Sequence, residues 1–350
     1  PNPPGQRGAA TAAPRVGVRR VLAGLVLAGL AIAAHQAAAD DDLAPLKCDP
    51  ARVQGSASCA RCHQQEVERW QSTPHFETFD TLHRKPEAKA IADRLGLRSV
   101  KRNETCTSCH YTRQEVRGRD RVVEGVSCES CHGAAQGWLE LHADYGPGAT
   151  RLTESPQHKR ARREASIAAG MNNPSNVYLI ARQCLACHTS PNERLVNVGG
   201  HNAGSQGFEL VSWSQGKVRH NFQRGGGQNV PSSLPRVRVM YVVGAMADLE
   251  ASLRAVAKAT SAGGFGRASA ARAVRVKRRL WAAQRALDHP LLGRALDAVS
   301  AVELRLGNSE AITAAADAVG AAAYRFADEE DGAALSAIDP QLPPPSDYKF

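Results

Sequence analysis

The sequence predicts a mainly α-helical chain in two parts: a compact region of short helices and loops rich in cysteine and histidine, followed by a small antiparallel helical bundle. Three observations predict it. All nine cysteines and ten of the twelve histidines fall within residues 40–224. Gly225-Gly226-Gly227, with Pro231 and Pro235 after it, then breaks the chain. Beyond that break the composition turns to Ala, Arg, Leu and Val recurring at helical spacing. The 350 residues allow one large domain or two ordinary ones, and only 5% are aromatic, so a bound cofactor is one candidate to fill part of a compact body.

Residues 1–39 read as a signal peptide. Arg19-Arg20 precedes a fourteen-residue apolar run, Val21 to Ala34, and Ala37-Ala38-Ala39 supplies a small-residue cleavage site before Asp40. The run is short for an anchor, and no stretch approaches the roughly 18 consecutive apolar residues of a membrane span. The general secretory route fits better than the twin-arginine route, because Val21-Leu22-Ala23 is a poor match to the latter signal. The mature chain would begin near Asp40, carry no transmembrane span and reside in the periplasm. The four arginines of residues 1–39 meet no acid, so the remainder carries 40 Lys+Arg against 34 Asp+Glu, a +6 too mild to argue for nucleic acid.

Residues 40–224 contain four Cys-x-x-Cys-His units: Cys59, Cys62 and His63; Cys106, Cys109 and His110; Cys128, Cys131 and His132; Cys184, Cys187 and His188. Chance would supply about 0.008 such strings in a chain of this composition. On a helical turn the two thiols can each form a thioether with a haem vinyl group, and the next residue presents its imidazole to the iron. The sequence therefore predicts four covalently attached c-type haems. Paired cysteines also bind zinc or form disulfides, but neither accounts for a histidine after every pair. Cys48 is left over, with no role assigned. Four haems in about 185 residues leave too little chain for four separate cores, so they must share one and sit close together. His110 and His132, 22 residues apart, should hold adjacent haems.

Four irons each need a second axial ligand, and the region offers His75, His83, His142, His158, His201 and His220. His75 follows the Pro74 break, His142 lies ten residues after His132, and His201 sits in Gly199-Gly200-His201, where glycine lets the backbone approach a flat ligand. His158 belongs to a basic segment ending in Arg162-Arg163 and reads as a solvated face or a propionate partner. Met171 is a weaker ligand candidate, better read as core. The best distal set is His75, His142, His201 and His220.

The pattern Trp70-x-x-x-x-His75, the string Gly125-Val126-Ser127-Cys128-Glu129-Ser130-Cys131-His132-Gly133 with His142 downstream, and the fourth motif followed by Phe208-Glu209 and His220 resemble the tetrahaem cytochromes c of nitrifying bacteria. Those proteins accept electrons from hydroxylamine oxidoreductase. The resemblance covers roughly residues 55–225. It implies His142 as second ligand to the His63 haem, His75 to the His132 haem and His220 to the His188 haem, with the His110 haem five-coordinate. His201 departs from that pattern: four candidate distal histidines match four irons.

Residues 225–235 read as a linker and 236–330 as the bundle. Val239, Val242, Val243, Met246, Leu249, Leu253 and Val256 mark one helix face, ended by Gly263-Gly264. Further helices are expected over 267–288 with Val274, Leu280 and Trp281 inward, over 291–306 with Leu292, Leu296, Val299 and Val302, and over 309–328 with Ile312, Val319 and Phe326. Residues 331–350, with Pro340, Pro343, Pro344 and Pro345, read as an extended tail.

The reading is an exported tetrahaem cytochrome that moves electrons among redox proteins of the periplasm or inner membrane, through mostly bis-His haems of low potential that suit a respiratory or metabolic relay. The alternative is a multihaem oxidoreductase acting on nitric oxide, nitrite, hydroxylamine or peroxide at a five-coordinate haem on His110. No second acid–base constellation converges in the sequence, which favours transfer over catalysis.

Overall fold

The computed structural model describes residues 1–2 and 48–350. The signal peptide expected over 1–39 lies, beyond residue 2, outside the described residues. The chain is mainly helical, 61% helix against 4% strand, the class the sequence predicts.

Ten short helices come first: α1 Ser56–Ala60, α2 Gln64–Gln71, α3 Pro74–Thr81, α4 Pro86–Arg94, α5 Glu104–His110, α6 Cys128–His132, α7 Pro156–Ala168, α8 Val177–His188, α9 Glu193–Asn197 and α10 Leu210–Ser214. Capping sets their starts. Thr73, Asn103, Ser155 and Asn176 accept main-chain N–H groups of the first turn, and Pro74 and Pro156 open α3 and α7 with the φ a helix needs. A hairpin of β1 Thr112–Val116 and β2 Arg119–Glu124 lies between α5 and α6. Its turn places Arg117 and Gly118 at φ 52° and 69°, the paired left-handed residues of a type I′ turn. The sequence reading does not anticipate this hairpin, since arginine rarely takes that conformation.

Helices this short are marginal alone. Side-chain clamps hold them, above all Glu129, which is 1% exposed. Its carboxylate accepts from the main-chain N–H groups of Gln54 (2.9 Å), Gly55 (2.7 Å) and Ala135 (2.7 Å). Glu124 adds acceptors for the Ser56 N–H (3.1 Å) and hydroxyl (2.8 Å). Together they fasten α1 beside α6. The only sizeable apolar cluster of residues 48–170, among those described, is Ala92, Val100 and Tyr111.

The main core lies further on. Four long helices, α11 Leu234–Lys258, α12 Gly264–Leu287, α13 Pro290–Ser300 and α14 Ser309–Glu329, appear at the expected places, α13 ending six residues before the expected 306. The helix α11 is buried around almost its whole circumference, because α8, α10, α12 and α14 all pack on it. Small residues allow the close approach. A Cβ at Gly320 would meet Glu250 Oε1 at 2.7 Å, and Ala315, Ala316 and Ala323 share its face of α14. On α12 the inward stripe is Ala273, Val276, Leu280 and Ala283. The expected Val274 and Trp281 instead face outward, at 41% and 36% exposure, since small residues let α12 lie close on α11 and the bulky ones fall on the far side.

Tyr178, Ala181 and Leu185 of α8 enter the same apolar core as Val242, Leu249 and Phe326. The last cysteine motif and the bundle thus share one interior. The extended tail expected over 331–350 is corrected: Ala333–Gln341 forms a 3₁₀ segment that buries Leu335 and Ile338. Two such side chains are worth about 1.5–3 kcal/mol each. Arg238 of α11 pins the segment with a paired contact to Asp339 (2.7 Å twice) and a bond to Gly332 O. The Pro-rich composition hides these two apolar anchors. Among the described residues no helix is long and apolar enough to cross a membrane.

Candidate functional site

Each Cys-x-x-Cys-His unit stands on a helical turn: the first on the turn that follows α1, where His63 N donates to Cys59 O at 2.9 Å, and the others on α5, α6 and the end of α8. The eight cysteines and Cys48 are free thiols. Cys59 neighbours Cys128, and Cys109 neighbours Cys187. Cys131 is close enough to Cys184 to feel its charge. These contacts string the motifs in the order first, third, fourth, second. The stretches that carry His110 and His132 also touch, since Thr112 Oγ1 lies 2.7 Å from Ser130 Oγ inside the third motif.

The eight candidate ligands fall into four pairs, with interplanar angles that run from 22° to 88°. Ring centroids are 6.2 Å apart for His63 and His142, and 6.3 Å for His75 and His188, His110 and His201, and His132 and His220. The pairing implied by the resemblance is kept for His63 with His142 and changed elsewhere: His75 faces His188, His220 faces His132, and His201 faces His110. The cause is local tethering. Val126 N donates to His75 O (3.0 Å) while Trp70 Nε1 donates to Val126 O (2.8 Å), which fixes His75 at the start of α3. Gln223 ties the His220 loop to the first motif through Cys62 O (3.3 Å) and Glu66 Oε1 (3.1 Å).

His201 is held just as firmly. Arg94 of α4 donates to Gly199 O at 2.8 and 2.6 Å, and Gly200 takes φ 71°, a conformation that suits glycine. His83 and His158 stay out of the pairs: His158 binds Glu154 at 2.8 Å, and His83 neighbours Lys101. Met171 is half-buried, its sulfur accepting from Asn173. Cys48 donates to Glu129 O at 2.8 Å, and burial, then the Glu129 charge, pushes its thiol up to about 12, so it is an inert structural group.

These residues fit a haem. Two metal–nitrogen bonds of about 2 Å and two imidazole radii of about 1.1 Å span about 6.2 Å, the separation of all four pairs. Nδ1 of His132, His142, His201 and His220 lies 3.4, 2.6, 2.8 and 2.7 Å from a main-chain carbonyl. Each ring therefore donates through Nδ1 and leaves Nε2 as the metal donor. Burial holds His110, His132 and His188 at about 4, neutral and able to ligate. Among the described residues no three His, Cys, Asp or Glu groups converge as a bare metal ion requires. Two opposed imidazoles suit an iron whose four in-plane ligands a porphyrin supplies. A porphyrin also carries carboxylates, and Arg163, Arg224 and Arg236 gather near the His220 loop, where burial and then the other two guanidinium groups lower Arg236 to about 10.

Arg162 links α7 to the His142 loop by donating to His142 O while gripping both oxygens of Glu154 at 2.7 Å. That grip, with His158, lowers Glu154 from 4.5 to about 2. A depressed carboxylate stabilises the fold above its ordinary value and loses that effect as pH falls. The loss is expected between pH 4.5 and 2, and Glu154→Gln should flatten the parent's acid-side slope when unfolding is followed by circular dichroism.

A mainly helical chain that repeats this motif and pairs its histidines this way has the makings of a c-type cytochrome with covalently bound haem. Residues 58–133 match the family of cytochrome c554 and c-prime. The chain is 24% identical over 149 residues to cytochrome c-554 of Nitrosomonas europaea, 39% of this chain and 58% of that relative's length. Over this stretch it is similar to the tetrahaem cytochromes c of nitrifying bacteria. No solved structure matches it. The match leaves the bundle uncovered by the family model. Sequence reasoning quoted Glu129 only as part of a motif, read Arg162 as part of a solvated or propionate-facing basic segment and missed Arg94; their charges look like those of any solvated residue until their partners, 74, 20 and 105 positions away, are known.

Proposed function

We propose that the chain is an exported tetrahaem c-type cytochrome that passes electrons between periplasmic redox proteins, all four irons held by two imidazoles each. The observation that carries this reading is the common 6.2–6.3 Å spacing of the four ring pairs. The thioether-forming pairs would be Cys59 and Cys62, Cys106 and Cys109, Cys128 and Cys131, and Cys184 and Cys187. Bound haem supplies reversible one-electron chemistry at iron. The chain's own residues set the rest. The eight histidines would hold the irons in pairs and so would exclude small-molecule ligands. Carbonyls of Asn172, Leu139, Asn202 and Val218 orient four of the rings. The clamps on Glu124 and Glu129 keep the first and third motifs side by side, which shortens the path between them.

The rival reading, chemistry on a small nitrogen or oxygen species at an open iron on His110, requires His201 to stand elsewhere. Its ring faces His110 at 6.3 Å. Protein made with haem-maturation machinery is expected to begin near Asp40 and to exceed the apoprotein mass by four haems. Its oxidised electron paramagnetic resonance spectrum should contain low-spin iron alone. Fewer than four haem increments, or a persistent high-spin signal, would overturn the reading.

A further inference from the structure

Behind His188 the two parts of the chain meet in one hydrogen-bonded cluster. His188 Nδ1 lies 2.9 Å from Ser205 Oγ, and Ser205 N donates back to His188 O at 2.8 Å. Arg272 of α12 donates through Nη1 to His188 O (3.1 Å) and Ser205 O (2.9 Å). Its Nε and Nη2 bind Asp248 of α11 at 2.6 and 3.1 Å. Arg272 and Asp248 are 2% and 4% exposed. Phe208 and Trp213 pack on the ring at 4.9 and 5.1 Å.

The surroundings of five other rings differ in kind. His132, His142, His201 and His220 give Nδ1 to carbonyls, and the Glu66 carboxylate stands 3.9 Å from His63 Nδ1. A carbonyl or carboxylate draws on the Nδ1 proton, makes the ring a stronger donor and favours ferric iron; a hydroxyl does so less. A buried cation nearby disfavours the extra positive charge of the ferric state, and a buried anion favours it. Arg272 Nη1 stands 3.1 Å from the carbonyl of His188 itself, so its charge lies beside the residue that carries the ring. The weak acceptor and the cation act in the same direction.

We infer that Arg272, Asp248 and Ser205 are positioning residues that set the reduction potential of the haem held by Cys184, Cys187 and His188 above that of the haem held by Cys59, Cys62 and His63, so that the C-terminal bundle ranks the centres. The inference rests on the proposal that His188 ligates a haem. It gives the bundle an electrochemical role at a site 60 to 84 residues away in sequence.

The test is a spectroelectrochemical titration of the full-length holoprotein between ferricyanide and dithionite. Arg272→Met is expected to lower one of the four one-electron steps. Asp248→Asn, which leaves the cation unbalanced, should raise the same step, and Arg272→Lys should restore most of the loss. A shift of about tenfold in the reduction equilibrium, about 59 mV for one electron, is the size to look for. A packing defect would move the step the same way in Arg272→Met and Asp248→Asn. That result, an equal shift of all four steps, or no shift, would overturn the inference. If Arg272→Met does not fold, Asp248→Asn and Ser205→Ala decide, since both must raise the one step. A pyridine haemochrome assay comes first. Protein lacking four haems overturns the cytochrome reading, whereas four haems with unmoved steps overturn this inference alone.

Discussion

Replacing His201 by alanine is expected to turn one low-spin haem in four high-spin and to let it bind nitric oxide. The loop that carries His201 is rigid: Arg94 holds Gly199 O, His201 N donates to Leu195 O at 3.2 Å, and a Cβ at Gly199 would stand 2.4 Å from Leu195 O. The other histidine near His110 is His75, and its ring is already paired with His188. Alanine would leave a position that only water or a diffusible ligand can take. Low-temperature electron paramagnetic resonance of the oxidised protein and a nitric oxide difference spectrum measure both effects. A parent already part high-spin, and unchanged by the substitution, would sink the assignment and restore the case for an enzyme.

The substitution Gly125→Ala is expected to be strongly destabilising for a one-carbon change. A Cβ there would lie 2.4 Å from His75 O and 2.7 Å from both Phe76 O and Thr78 Oγ1. Two of those atoms are main chain, and Thr78 Oγ1 is itself fixed 2.8 Å from the carbonyls of His75 and His110. The start of α3 must move, which breaks the Val126 N to His75 O bond and pulls His75 from His188. Overpacking of this kind costs about 1–3 kcal/mol, and the loss of a buried hydrogen bond adds about 1 kcal/mol. Guanidinium unfolding should show a lower midpoint, with a high-spin signal from the haem on His188. Gly207→Ala is the control: nothing stands within 4 Å of its Cβ, and a change within about 0.5 kcal/mol is expected. Equal midpoints for the two variants would refute the clash.

The four haem motifs were legible because their chemistry is local: two thiols and an imidazole on one turn. The four long helices were legible for a similar reason, since apolar periodicity reports burial along one element. What could not be read is long-range. Which distal histidine meets which motif depends on tethers such as Val126 to His75 and Gln223 to Cys62, and sequence spacing carries no trace of them. A family pattern supplied a pairing, and three of its four positions differ in this chain. Val274 and Trp281 misled because hydrophobicity marks what can be buried, whereas packing against α11 favoured Ala273 and Ala283. Leu335 and Ile338 were overlooked amid prolines that punctuate the 3₁₀ strap.

The shared interior of α8 and the bundle bears on how the molecule is made. Tyr178, Ala181 and Leu185 are buried against α11, while Cys184 and Cys187 on the same helix are only half-buried. Synthesis from the N-terminus delivers residues 234–341 last, which leaves α8 accessible while they are still to come. The bundle then closes over the apolar face of α8, and the Arg238–Asp339 clasp fastens the C-terminal strap to the bundle. The direction of synthesis thereby becomes an assembly schedule, in which the helix that carries the fourth motif exists before the bundle it packs against.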